Sequence, residues 1–336
     1  MSFWGNKKVV LTGGGGFLGS HVAEALKAAG CNDVFIVRSR EFDLTKETEV
    51  IRLFADRRAS NVDIVIHLAG LVGGIGANKV KPADFFYRNL MMGTLMLHHS
   101  WLAGAKKFVA AGAGCGYPEH APVPLKETTF WDGLPQVESA PYSLAKRLLQ
   151  IQASAYWKQH GFPSIIGVPG NIYGPYDNFD LENAHVVPAL VRKFVEGKDV
   201  VVWGSGKPTR DFVYAGDVAH GLLLAGEKYD RAEVVNLSSG RDHSVREVVD
   251  VLVDATGFKG SITWDSTRPD GQIRRLFDVS KAQNDLDFHA TTSLKEGLVK
   301  TVNWYRENRE KARNLEPLPE TVIPAFRAAA APGLTQ

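Results

Sequence analysis

The run Lys8-Val9-Val10-Leu11-Thr12-Gly13-Gly14-Gly15-Gly16-Phe17-Leu18-Gly19 decides the fold. Its apolar opening reads as a buried strand, and four consecutive glycines stop that strand at once. Residues 20–29 then read as a helix, with Gly30 near its C-terminus. Strand, glycine turn and helix in this order make a cradle for a dinucleotide. Gly13 allows the tight turn, Gly16 lets the backbone approach a pyrophosphate, and Gly19 brings helix and strand close. The helix opening near Phe17 and Leu18 points its free amides at the phosphates.

Strand-like runs recur at 33–37, 63–69, 107–111 and 164–168, each leading into a helical stretch. This alternation predicts an α/β fold with a doubly wound parallel Rossmann sheet. After about Asn171 the rhythm breaks at Gly174-Pro175, Gly204-Ser205-Gly206 and Arg268-Pro269-Asp270-Gly271, with helices such as 244–256 between. The expected organisation is a dinucleotide-binding domain over 1–171, to which about 210–238 returns, and a smaller interleaved α/β substrate lobe mainly over 172–325. Residues 326–336, Ala-rich and aperiodic, read as a loose tail.

Composition narrows the function. The 336 residues carry 39 Lys+Arg against 37 Asp+Glu, a net charge of +2, and 44% are hydrophobic. A small stapled scaffold is excluded, and near-neutral charge without a basic stripe argues against nucleic acid or an anionic membrane as the main partner. No apolar run reaches the roughly 18 residues of a membrane helix. Cys31 and Cys115 form no disulfide framework, which fits a reducing compartment and makes the cytoplasm the expected location. No metal site is expected.

An NAD enzyme usually carries an acid at the end of its second strand, for the ribose hydroxyls. This chain has Val37-Arg38-Ser39-Arg40. Arg38 and Arg40 suit a ribose 2′-phosphate and favour NADP(H); the alternative is a solvated basic edge partnered by Glu41. Asp43 and Leu44 are placed near the adenine. His67-Leu68-Ala69-Gly70 ends a buried strand beside the cofactor, with His67 equally readable as a core residue.

Tyr142-Ser143-Leu144-Ala145-Lys146 lies on a helix running to His160, so Tyr142 and Lys146 share one face. A free phenol titrates at about 10, so acid–base work near neutrality needs a neighbouring cation. Lys146 supplies one and can also hold the nicotinamide ribose.

Together these residues resemble the extended short-chain dehydrogenase/reductase family: the loop 12–19, His67-Leu68-Ala69, Asn89, Tyr142 with Lys146, and Arg210-Asp211-Phe212-Val213 with Asp217. The resemblance spans nearly the whole chain. It is closest to the branch of epimerase-reductases that act on GDP-4-keto-6-deoxymannose and form GDP-L-fucose. The matching segments are Val72-Gly73-Gly74-Ile75, Cys115 with Tyr117-Pro118, Asn171-Ile172-Tyr173-Gly174-Pro175, Asp177-Asn178-Phe179, His185-Val186-Val187-Pro188-Ala189-Leu190 and Trp203-Gly204-Ser205-Gly206.

The resemblance implies that Cys115 and His185 exchange protons at C3 and C5 of the keto sugar, and that hydride from NADPH then reduces C4 while Tyr142 donates a proton. It places Asn171 beside cofactor and sugar, and Arg192, Arg210 and Arg275 with the substrate. Arg210 and Arg275 suit a diphosphate clamp. Trp203 either packs near the base or is a buried structural residue. It also implies a homodimer through the helices 84–102 and 142–160, which carry Phe85, Phe86, Leu90, Met91, Leu95, Leu148, Ile151 and Trp157 on more than one face.

The chain departs from the branch at Ala111-Gly112-Ala113-Gly114-Cys115, where family members have a serine or threonine upstream of the cysteine. Losing one preorganised donor costs about a hundredfold to a thousandfold in rate. Bound water or a hydroxyl from another segment would have to replace it, and the smaller residues leave room for a bulkier sugar such as a heptose. In the cofactor loop, Gly14-Gly15 stand where a basic residue can occur. Alternative readings are a nucleotide-sugar 4-reductase or an epimerase alone, and a non-catalytic NADP(H)-binding protein.

Overall fold

The computed structural model describes residues 2–181, 183–268 and 270–313. The tail expected at 326–336 lies outside the described residues. The opening run forms β1 (Lys8–Thr12) and α1 (Phe17–Ala28), followed by β2 (Asp33–Val37), α2 (Glu47–Ala55), β3 (Ile64–His67), α3 (Ile75–Val80), α4 (Pro82–Leu102) and β4 (Lys107–Ala111). Next come α5 (Ala140–His160), β5 (Ser164–Pro169), β6 (Asn171–Tyr173), α6 (Val186–Glu196), β7 (Val200–Trp203), β8 (Thr209–Tyr214), α7 (Ala215–Lys228) and β9 (Glu233–Leu237). The chain continues through β10 (Asp242–Ser244), α8 (Val245–Thr256), β11 (Ile262–Asp265), β12 (Arg274–Arg275), α9 (Ser280–Leu286), α10 (Leu294–Glu307) and α11 (Arg309–Arg313).

The main sheet has six parallel strands in the order β2-β1-β3-β4-β5-β9. Parallel strands need helical crossovers, so both faces are covered and the strands are apolar throughout. Val10, Val65, Phe108 and Ile166 point into one core, beneath α2, α4 and α5. Val9, Leu11, Ile66, Val109 and Ile165 point into the other, beneath α1 and α7. The strand order reverses between β1 and β3, and the crevice outside the carboxyl ends of the strands at that switch is where such sheets hold ligands.

The third core belongs to the second lobe, where α6, α8 and α10 pack together over Val200, Val202 and Phe212. Its strands form two small sheets. β8 pairs with β6, β10 and β12, while β7 pairs with β11. The helix read at 244–256 is α8, whose N-cap Ser244 and Glu247 form a reciprocal capping box. Among the described residues no helix is long and apolar enough to cross a membrane, and no cluster of side chains suits a metal ion.

Candidate active site

The glycine loop lies at the strand-order switch. Gly13 adopts φ +70°, and a Cβ there would stand 2.7 Å from the backbone nitrogen of Ala69. A Cβ on Gly19 would run into the Gly13 carbonyl, so α1 sits against the turn only because Gly19 has no side chain. The Gly16 amide closes the turn onto the Gly13 carbonyl at 2.9 Å. No side chain caps the start of α1, and the amides at Phe17 and Leu18 remain available to an anion. This cradle fits a pyrophosphate.

β3 closes the cradle from the other side. The Thr12 hydroxyl lies 2.8 Å from Nδ1 of His67 and accepts the Ala69 amide at 3.2 Å, fixing Leu68, Ala69 and Gly70 beside the loop. Burial lowers His67 to about 3, so the ring is neutral, and it stacks on Phe108. His67 is therefore the core residue of the two readings. Asn89, buried on α4, holds both backbone groups of Leu71.

At the end of β2 the exposed Arg38 reaches back across Gly15, where a Cβ would strike its guanidinium. The Glu41 carboxylate is held by Arg58 at 3.0 Å, and among the described residues neither Arg38 nor Arg40 forms an ion pair. One unpaired guanidinium, that of Arg38, thus lies against the loop. The Asp43 carboxylate is occupied by Thr45 and Lys46, and the Leu44 side chain is buried in the core, leaving its backbone alone for a ligand.

Tyr142 and Lys146 enter from α5, with Pro141 in its first turn. Lys146 is buried, donates to the Ala111 carbonyl at 3.0 Å, and is lowered to about 8 by that burial. The ring of Tyr142 packs edge-on against Phe85. Burial, and then the neighbouring Cys115, push its phenol up, so it keeps its proton at neutral pH. Among the described residues its hydroxyl makes no hydrogen bond. Such a phenol is an acid that yields its proton only to an oxygen gaining charge.

Cys115 occupies a tight turn, Gly114–Gly116, with two residues between it and the end of β4. The turn is pinned by Tyr117, which donates to Asn236 at 2.7 Å, and by Arg275, which donates to the Gly114 carbonyl. Ala113 is buried and brings no hydroxyl. The hydroxyl that reaches this turn is that of Ser143, 3.1 Å from Cys115 Sγ.

The second lobe supplies the remaining residues. His185 is the N-cap position of α6, where its carbonyl accepts the Ala189 amide at 3.1 Å; its ring has no hydrogen-bond partner among the described residues, and burial of the ring by the surrounding protein lowers its pKa. Asn171 begins β6, where it pairs with Phe212. Arg210 and Arg275 are direct partners across β8 and β12. Arg210 donates to the carbonyls of Thr209 and Gln272, and burial followed by the Arg275 charge lowers its pKa. Two like charges this close favour an anion between or beside them.

Two readings of the substrate residues change. Arg192 turns toward the lobe, its Nη1 donating to the Phe179 carbonyl at 3.0 Å and its Nε pairing with Glu196, so two of its three guanidinium nitrogens are engaged there. The next residue on the helix, Lys193, lies instead 5.5 Å over the ring of Trp203. Trp203 is 62% exposed, which sets aside the buried structural alternative, and Arg268 flanks it at 5.0 Å. Sequence reasoning missed Lys193, Arg268 and Ser143.

The profile of the NAD dependent epimerase/dehydratase family matches residues 9–238. The chain belongs to this family. Among its epimerase/dehydratase relatives, GDP-L-fucose synthase 1 of Arabidopsis thaliana is 37% identical over 306 residues, covering 90% of this chain and 94% of the relative. The crystal structure of a GDP-L-fucose synthetase from Naegleria fowleri bound to NADP superposes with a TM-score of 0.84 at 27% identity, over 94% of this chain and 98% of that one. A GDP-6-OMe-4-keto-L-xylo-heptose reductase from C. jejuni gives a TM-score of 0.84 at 27% identity, over 92% and 100%.

Proposed function

We propose that this epimerase/dehydratase family member is an NADPH-dependent epimerase-reductase that converts a GDP-4-keto-6-deoxy sugar of the mannose type into a GDP-L-fucose-like product. The observation that carries the reading is the meeting of Tyr142, Lys146 and Cys115 at the end of β4, beside a glycine cradle flanked by Arg38. Gly13, Gly16 and the first turn of α1 would hold the pyrophosphate, Arg38 and Arg40 the 2′-phosphate, and Lys146 with Asn171 the nicotinamide ribose side. Hydride for C4 is what NADPH supplies when bound.

The rest is done by side chains of this chain. The C4 carbonyl acidifies the hydrogens at C3 and C5. Cys115 and His185 approach from different elements, so one removes a proton and the other returns one on the opposite face. His185, kept neutral by its surroundings, serves as acceptor or, once protonated, as donor. Tyr142 hydrogen-bonds the C4 oxygen while it carries enolate charge and gives up its proton when that oxygen becomes an alcohol. Arg210 and Arg275 clamp the diphosphate, and Trp203, between Lys193 and Arg268, stacks on the guanine.

In this reading the described residues of 1–171 with about 210–238 form the cofactor half and those from 172 to 313 mainly the substrate lobe; residues 314–325, read with that lobe from sequence, lie outside the described residues. The enzyme is cytoplasmic and a homodimer, its interface formed by α4 and α5, where Phe86, Leu148, Ile151 and Trp157 are exposed. A second reading, a 4-reductase on a heptose, is favoured by Ala113, which leaves the site without the family hydroxyl. Steady-state NADPH oxidation with GDP-4-keto-6-deoxymannose tests the first reading. Turnover that Tyr142→Phe lowers at least about a hundredfold supports it, and turnover that survives this change intact overturns it.

A further inference from the structure

Several hydroxyls on the helices of this protein, buried at Ser100 and Thr301 and half-buried at Thr256, turn back onto the carbonyl four residues earlier. Ser100 donates to Met96, Thr256 to Leu252 and Thr301 to Gly297. Ser143, wholly buried one residue after Tyr142, does not. Its Oγ lies 3.1 Å from Cys115 Sγ and 3.4 Å from Ser139 Oγ. The Ser139 hydroxyl in turn donates to the Gln136 carbonyl at 3.3 Å. Four groups therefore form a chain, from the thiol through two hydroxyls to a carbonyl.

We propose that Ser143 is a positioning residue that keeps Cys115 hydrogen-bonded in both of its protonation states. The inference rests on the reading of Cys115 as a proton-exchanging group. As a thiol, Cys115 donates S–H to Ser143, whose own hydroxyl donates to Ser139, and Ser139 donates to Gln136. As a thiolate, Cys115 accepts from Ser143, whose hydroxyl has rotated. When the thiolate takes a proton, the C–H bond α to the carbonyl breaks, its electron pair passes into the enolate and the new S–H bond forms. In the thiolate state the Ser139 hydroxyl turns to donate to Ser143, and the Gln136 carbonyl keeps the Ser139 amide, which donates to it at 3.0 Å, so the chain reverses without leaving any group unpaired. A buried hydroxyl able both to donate and to accept is what such a step needs. Lys146 and Arg275 also stand near Cys115, but as cations they serve only the thiolate. This hydroxyl comes from another segment than the one carrying Ala113.

The test is deuterium wash-in at C3 and C5 of GDP-4-keto-6-deoxymannose in deuterated water with NADP+, so that no reduction intervenes. Cys115→Ala first identifies the carbon from which the thiolate removes the proton, the step that limits wash-in there. Ser143→Ala is expected to slow wash-in at that carbon by about tenfold to a hundredfold, the worth of a hydrogen bond to a charged group, while the other carbon changes little. The ratio of the two rates within one sample does not depend on how much of the variant is folded. An unchanged ratio overturns the inference and leaves the role of Cys115 intact. Wash-in at both carbons that survives Cys115→Ala overturns the underlying reading instead. Alkylation of Cys115 by iodoacetamide, followed on its peptide by mass spectrometry, needs no substrate. Ser143→Ala is expected to slow it several-fold, and an unchanged rate also overturns the inference.

Discussion

The ammonium of Lys146 lies 3.0 Å from the carbonyl oxygen of Ala111, the last residue of β4. That single bond fixes the cation at the point where the sheet ends and the Cys115 turn begins. It also compensates only part of the cost of burying a charge, which is why Lys146 is lowered to about 8.

A pH dependence follows from that value. Lys146 is cationic below about 8 and neutral above it, so kcat/KM, which reports the free enzyme, falls as pH rises through that point. Lys146→Met removes the alkaline limb and lowers kcat at least about a hundredfold. A wild-type profile that stays flat through this range contradicts the assignment.

Arg38 lies across Gly15 without a carboxylate partner. Its charge-assisted hydrogen bonds to a 2′-phosphate are worth about tenfold to a hundredfold in affinity. Arg38→Ala is expected to raise the NADPH Kd by that factor and leave NADH binding nearly unchanged. Equal weakening of both cofactors, measured by fluorescence titration, rules the residue out as the discriminator.

Asp177 is buried, and its Oδ2 has no hydrogen-bond partner among the described residues. Burial raises its carboxyl to about 8. In the unfolded chain an aspartate titrates at about 3.9, so between these values the folded state holds a proton that the unfolded state has released. Stability therefore declines as pH rises across this window, by at most about 1.4 kcal/mol per unit from this group. Urea unfolding at several pH values should show that decline in the wild type and its loss in Asp177→Asn. Identical slopes would refute it.

The main sheet was legible because each strand is a short apolar run ended by a turn, and burial on both faces imposes that pattern. β1, β2 and β4 have the bounds expected from sequence, whereas the run at 63–69 shrinks to Ile64–His67 because Leu68 and Ala69 leave the ladder to line the glycine cradle. The second lobe was legible only in part. β10 and β12 have three and two residues, too few to show a period.

The site divides in the same way. Chain-local features, the glycine loop and the Tyr142–Lys146 spacing, could be read directly. Arg192 and Lys193 are neighbours in sequence, but successive helix positions face directions about 100° apart, so one turns inward and the other lies over Trp203. Nothing in a linear pattern marks Ser143, whose meaning lies in a contact with a turn 28 residues away.

The most direct test of the central claim is proton NMR of the product formed from GDP-4-keto-6-deoxymannose and NADPH in deuterated water. Deuterium at C3 and C5 together with a reduced C4 is the predicted result. A C4-reduced sugar that keeps its original hydrogens at C3 and C5 would contradict the epimerase-reductase account, and would leave Cys115 and His185 without the proton exchange assigned to them.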